Sequence, residues 1–329
     1  MRRREFISLL GGAAAAWSFV ARAQQPTMPV VGYLDATSAL GKHAPFAATF
    51  RNGLNDVGFV EGNNVAIEYR WAEGHYDRLP ALAAELVRHP ATVIVAVGPP
   101  ACALAAKAAT TSISIVFLTG GDPIALGLVK SLNRPGGNLT GVSLFNVALV
   151  PKQLELVSDL LPNARVIAAI VNPDNPNTEA EERELNAAAH VLGLVIHVLR
   201  ASSENDVTAA FATIVQQGAG AVIVSFDAFF LSRNDQFVAL AARHSLPAIY
   251  HWREFAESGG LMAYGTNLVD AYRQTGIYAG KILQGARPVD LPVWQQTKFE
   301  LVINLKTAKA LGLTVPRAML MRALAEPIC

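Results

Sequence analysis

From residue 29 to residue 304, short continuous apolar runs alternate with longer stretches that carry apolar residues at helical spacing. The runs at 29–34, 65–71, 92–97, 114–118 and 139–144 read as strands. The segments 44–57, 78–88, 101–110 and 123–132 read as the helices between them. Runs that are apolar on both faces suit parallel strands buried between layers of helix. Strands separated by helices imply βαβ crossovers. The pattern then restarts, with helices at 151–161, 178–192, 204–216 and 235–244 and strands at 165–171, 194–199, 221–226 and 247–250. The helix at 178–192 opens with Glu179, Glu181, Glu182 and Glu184, which suit the positive end of its dipole. A strand at 261–264, a helix at 270–283, a strand at 299–304 and a short helix at 307–311 remain. These do not simply extend the second unit.

The expected fold is therefore α/β: two doubly wound parallel-sheet lobes joined by a three-crossover hinge. Residues 24–144 form the first lobe and 145–260 the second. Residues 261–284 return to the first lobe, and 285–329 return to the second and supply the tail.

Residues 1–23 read as a segment that is removed. Arg2, Arg3 and Arg4 precede an apolar run at 7–20, and Ala21-Arg22-Ala23 is the small-x-small pattern of a signal peptidase site. The run is shorter than the roughly 20 residues a bilayer span needs. Arg3-Arg4 followed by Phe6 and Ile7 fits a twin-arginine export signal, with an ordinary Sec signal as the alternative. The expectation is cleavage after Ala23 and a periplasmic chain without membrane insertion. Without residues 1–23 the balance is 23 basic against 25 acidic residues. Such a chain has no field to hold nucleic acid or anionic lipid. Cys102 reads as a buried small hydrophobe, and Cys329 ends the tail. The seven histidines show no metal-ligand spacing.

In open α/β sheets ligands bind beyond the carboxyl ends of the strands. Those ends hold Asp35, Ala36, Thr37 and Ser38, then Gly98 and Pro99, then Thr119, Gly121 and Asp122. In the second half they hold Asn172, Asp227, Tyr250 and Trp252, and Tyr264 ends the strand at 261–264. Prolines near several first helical turns aim free N–H groups at one place, where a carboxylate would fit. Asp35, Asp122 or Asp227 would meet an ammonium, and Tyr250, Trp252 or Tyr264 would cover an apolar body. Plainer roles compete with these. Asp122 fits a helix N-cap, residues 172–176 fit a capping turn, and Tyr250 and Trp252 fit interlobe packing. No G-x-G-x-x-G, G-x-S-x-G or Walker pattern occurs, and no acid–base constellation stands out. The expectation is a binding protein with no catalytic residue, cofactor or metal.

Several segments resemble the ABC-transporter substrate-binding family, and within it the tryptophan/tyrosine-type branch. They are Pro29-Val-Val-Gly-Tyr-Leu34, residues 58–70 (Gly-Phe-Val-Glu-Gly-Asn-Asn-Val-Ala-Ile-Glu-Tyr-Arg), 76–85, 121–129, 133–141 and 298–309. The resemblance spans the chain after residue 23. It implies the type I periplasmic-binding-protein fold, capture of a small solute, and delivery to a permease with its ATPase. It also implies ligand contacts from Ala36, Thr37 and Ser38, the Gly98 exit, the Gly121-Asp122-Pro123 turn, and Asp227. The third exit reads Gly98-Pro99-Pro100 where the family commonly has Gly-Thr-Pro, so a side-chain hydroxyl is missing there. An amino acid or an aromatic or organic acid is the expected solute, and a monomer the expected state. A ligand-sensing module for a membrane receptor or kinase is the alternative, and a twin-arginine-exported redox enzyme a third.

Overall fold

The computed structural model describes residues 28–39, 44–89 and 91–323. The export signal, its cleavage point and Cys329 lie outside the described residues.

The first sheet holds β1 (Val30–Asp35), β2 (Ala66–Trp71), β3 (Val93–Val97), β4 (Ser114–Thr119), β5 (Leu139–Ser143) and the short β11 (Trp294–Gln295). Its order is β11-β5-β4-β3-β1-β2, parallel throughout. The second sheet holds β6 (Val166–Val171), β7 (Val195–Arg200), β8 (Ala221–Val224), β9 (Ala248–Tyr250), β10 (Met262–Thr266) and β12 (Phe299–Ile303), in the order β12-β10-β9-β8-β6-β7. Here β12 runs antiparallel to β10, so this sheet is parallel only up to its edge.

The helices are α1 (Ala44–Asp56), α2 (Leu79–Arg88), α3 (Pro100–Ala109), α4 (Asn146–Leu160), α5 (Thr178–Leu192) and α6 (Glu204–Gln216). They continue with α7 (Ala228–Ser232), α8 (Asn234–Arg243), α9 (Arg253–Glu257), α10 (Leu268–Leu283), α11 (Leu305–Ala310) and α12 (Arg317–Ala323). Strand β3 shows why such runs need helices on both sides. Val93, Val95 and Val97 enter one core cluster, while Ile94 and Ala96 enter another with Leu34, Cys102 and Phe117. All five residues of the strand are buried. Cys102 is fully buried, as its Ala-rich helix implied.

The chain passes between the sheets three times; the first passage follows β5 as expected, and the other two fall at points that differ from those expected. Residues 261–264 do not return to the first lobe, because β10 pairs with β9 and β12. The passage follows β10, and α10 then packs on α1. A Cβ on Gly53 would collide with the Arg273 backbone, and one on Gly276 with that of Phe50. Two opposed glycines thus let these helices approach closely enough to dock the returning segment. The last passage comes after β11, which pairs with β5, so residues 285–295 belong with the first sheet rather than the second.

Two helices also differ. Residues 123–132 form turns, because Asp122 Oδ1 accepts from Ile124 N (2.8 Å) and Gly127 takes φ 66°. Helix α4 begins at Asn146 and not at residue 151, with Pro151 inside it. That start brings Asn146 straight off the end of β5. Among the described residues, no helix is long and apolar enough to cross a membrane.

Candidate functional site

The carboxyl ends of the two sheets face each other across a narrow cavity of about 40 Å³, partly open to solvent. The first lobe contributes Thr37 from the β1 exit, Gly98 and Pro99 from the β3 exit, Leu118 and Gly120 around the end of β4, and Leu144 after β5. Asn146, the first residue of α4, joins them. The second lobe contributes Asn175, Phe226, Asp227, Leu231 and Trp252, and α10 adds Leu268 and Tyr272. Each sheet presents the exits on both sides of its topological switch, β1/β3 in one and β6/β8 in the other.

Asp227 is the one charged side chain among the lining residues. It is 1 % exposed. Oδ1 accepts from Asn172 Nδ2 at 3.0 Å and from Phe229 N at 2.9 Å. Oδ2 accepts from Asn175 Nδ2 at 3.0 Å and from the Tyr76 hydroxyl at 2.8 Å. Burial raises its pKa above the ordinary carboxylate value, and these donors oppose the rise. The carboxylate also caps α7. Two lining side chains carry donors without a hydrogen-bond partner: Nδ2 of Asn146 and Nε1 of Trp252. The amide oxygen of Asn146 accepts from Thr266 Oγ1 at 3.3 Å. Gly98 takes φ 104°, a conformation only glycine adopts freely, and turns the chain into the start of α3 beside the cavity.

The cavity gathers Thr37, Gly98, Pro99, Asp227 and Trp252 of the residues named from sequence. It does not gather the others. Asp35 lies behind Thr37, accepting from its N and Oγ1, both at 2.8 Å. Burial pushes Asp35 up to about 6 against those bonds and one from Tyr33. Ala36 is fully buried and Ser38 lies further along the loop, outside the lining. Thr119 is buried and accepts from Gly121 N (3.3 Å), while Gly121 itself packs against Asn177 of the opposite lobe. Asp122 is exposed and caps its own turn. Asn172 stands behind Asp227 as its donor. Tyr250 is fully buried, stacked on Phe255 with ring centroids 4.4 Å apart. Tyr264 points to the other face of β10, toward Phe299.

Sequence reading missed Asn146, Asn175, Phe226, Tyr272 and Tyr76. Asn146 is signalled by the exit of β5, and Asn175 by the polar loop 172–176 at the exit of β6. Tyr272 and Tyr76 carry no local signal, since only the return of α10 and the closing of the lobes bring them near.

The residues 45–326 match the family model described as ABC transporter substrate binding protein. A tyrosine-binding protein from Clostridioides difficile is 29 % identical over 264 residues, covering 80 % of this chain and 75 % of that one. A solved ABC domain from Streptococcus pneumonia in complex with L-Trp is 26 % identical with a TM-score of 0.82, covering 92 % of this chain and 100 % of the other. A ligand-free, open substrate-binding protein from Clostridium difficile is also 26 % identical, covering 88 % and 96 %, yet its TM-score is 0.63. At equal identity the chain superposes better on the liganded structure than on the open one. That agrees with lobes in contact through Tyr76 and Asp227, Gly121 and Asn177, and Gly120 and Phe226.

Proposed function

The chain belongs to the ABC transporter substrate-binding protein family, whose two-lobe α/β fold it has. From that premise we propose that it captures an aromatic or large apolar amino acid between its lobes and delivers it to a membrane permease with its ATPase. The observation that carries this reading is a single carboxylate, Asp227, in a cavity otherwise lined by apolar, aromatic and neutral polar groups. Its charge attracts an ammonium, and burial weakens the competition from water. Phe226, Leu231, Trp252 and Tyr272 offer surface to a large side chain. The solute carboxylate finds no lysine or arginine among the lining residues. Neutral donors serve it instead: Asn146 Nδ2 and Trp252 Nε1. They supply what the hydroxyl missing at Pro99 would have given. A relative named for tyrosine binding and a neighbour solved with L-Trp support the aromatic class.

Binding works by differential affinity. A solute held by both lobes favours the closed state only as far as it binds that state better than the open one. On this reading no side chain performs covalent chemistry, and the chain is a monomer in the periplasm. Arg3 and Arg4 would direct its export; an Arg3→Lys, Arg4→Lys variant that is still exported normally would argue for the Sec route.

Isothermal titration with L-tryptophan, L-tyrosine, L-phenylalanine and L-leucine tests the proposal, alongside the amine-free analogues indole-3-propionate and phenylpropionate. The aromatic amino acids should bind, and their amine-free analogues should bind at least tenfold more weakly. Equal affinity for the two sets, or no binding by any, would refute this assignment of the solute.

A further inference from the structure

We infer that Tyr76 is a positioning residue: it crosses from the first lobe to the second and ties closure of the protein to the carboxylate that faces the solute. The Tyr76 hydroxyl donates to Asp227 Oδ2 at 2.8 Å, across 151 residues of sequence. The other donors to Asp227, from Asn172, Asn175, Phe229 and Phe230, all come from the second lobe. Tyr76 is the one first-lobe donor among the described residues. It does not line the cavity, so it reaches Asp227 from outside the space a solute would fill.

The loop that carries Tyr76 is built to reach across. Glu73 and Gly74 both take left-handed backbone conformations, with φ of 56° and 83°. A non-glycine residue in that region is strained and persists only where its surroundings hold it. Here Glu73 N donates to Thr37 O at 2.9 Å and Gly74 N to Ala36 O at 2.7 Å. Those bonds lock the β2 exit to the β1 exit, which supplies Thr37 to the cavity. A Cβ added at Gly74 would meet Phe229 of the second lobe at van der Waals distance. The Tyr76 ring meanwhile packs on the first-lobe core that contains Leu79 and Cys102. The tyrosine is thus fixed to one lobe by packing and tied to the other by a charge-assisted hydrogen bond. Such bonds are the stronger kind.

Opening the lobes breaks that bond and leaves Asp227 to its own lobe's donors. Closing restores it whether or not a solute is present. Tyr76 therefore stabilises the closed state for every solute alike, with or without an amine.

The test uses the full exported chain with a spin label on each lobe, at exposed Val191 and exposed Ile124, each changed to cysteine. The interlobe distance distribution of the solute-free protein is compared with that of Tyr76→Phe, which keeps the ring, and of Asp227→Asn, which weakens the same bond from the other side. The unfolding midpoint in urea confirms that each variant folds. Tyr76→Phe should cut the closed-to-open ratio about tenfold, and Asp227→Asn should move it the same way. Identical distributions in wild type and Tyr76→Phe would overturn the inference, including the case in which both are wholly open. This arm needs no solute, so it stands even if the solute assigned above is wrong. The second arm rests on that assignment. Tyr76→Phe should weaken L-tryptophan and indole-3-propionate by the same factor, and a loss confined to L-tryptophan would reduce Tyr76 to a partner of the ammonium site.

Discussion

Replacing Gly120 by alanine separates closure from folding, because the added methyl meets the other lobe. A Cβ built on Gly120 lies 2.6 Å from Cε2 and 3.0 Å from Cδ2 of Phe226, and 2.8 Å from Nδ2 of Asn146. Relaxed carbon contacts are about 3.5–4.0 Å, so the ring and the methyl must part by roughly 1 Å. Phe226 has little room to yield: it is 4 % exposed and meets the His251 ring edge-on with centroids 5.2 Å apart. Gly120 is not among the glycines with positive φ, so alanine accepts its backbone without strain. Overpacking of this kind costs about 1–3 kcal/mol. Phe226 belongs to the second lobe, so the cost falls on the closed state, and each tenfold in affinity is about 1.4 kcal/mol. The expected loss is therefore roughly 5- to 150-fold in solute affinity. Isothermal titration reads that loss, and the urea midpoint of the solute-free protein should shift by less than the affinity change. An affinity within twofold of wild type would refute the close approach of Gly120 to Phe226. A midpoint that falls in step with the affinity would place the clash inside one lobe.

Three further outcomes follow from the same site. Asp227→Asn should weaken an amine-free analogue by the closure loss it shares with Tyr76→Phe, about tenfold, and an aromatic amino acid by about tenfold more, since charge-assisted hydrogen bonds are worth roughly twice neutral ones; equal losses would remove the ammonium from Asp227. Trp252 lines the cavity, so Trp252→Phe should abolish most of the fluorescence change on solute binding, and a full change in that variant would place the reporting indole elsewhere. Glu181 is 1 % exposed and bonded to Ser225, and burial, with the Asp227 charge adding to it, raises its pKa from 4.5 to about 8. The folded protein then keeps a proton that the unfolded chain releases, so stability falls as pH rises from about 4.5 to about 8. Glu181→Gln should flatten that fall and raise the urea midpoint at pH 8; a variant less stable than wild type at pH 8 would show that the carboxylate is ionised and paired in the native state.

Most of the strands were legible because both their faces are buried. A run such as Val93–Val97 has no polar alternation to mislead, and its turns stand out. Helices with one strong apolar face, such as α5 and α6, were placed at their observed ends. Residues 123–132 were misread because an Asx turn at Asp122 and a left-handed Gly127 outweigh the apolar residues between them. The second crossing point was displaced because β10 looks the same whichever sheet it joins. Its place is set by pairing with β9 and β12, a contact between distant segments.

The site divides the same way. Exits of recognised strands gave Thr37, Gly98, Pro99, Asp227 and Trp252. Asp35 and Asn172 were rightly seen at strand ends, but their short polar side chains turn back to hold the local loop and the neighbouring carboxylate. Nothing in the local sequence reports which way such a group turns. Tyr264 was misplaced by one step of the β pleat, since neighbouring residues point to opposite faces. Tyr76 was invisible, because it meets Asp227 across the two lobes, 151 residues along the chain.

The most direct test of the account is a crystal structure of the exported protein grown with L-tryptophan. The solute should lie between the lobes, its amine within hydrogen-bonding distance of Asp227 and its indole against Trp252 or Tyr272. A solute bound outside that space, or one inside it with its amine turned away from Asp227, would contradict the account.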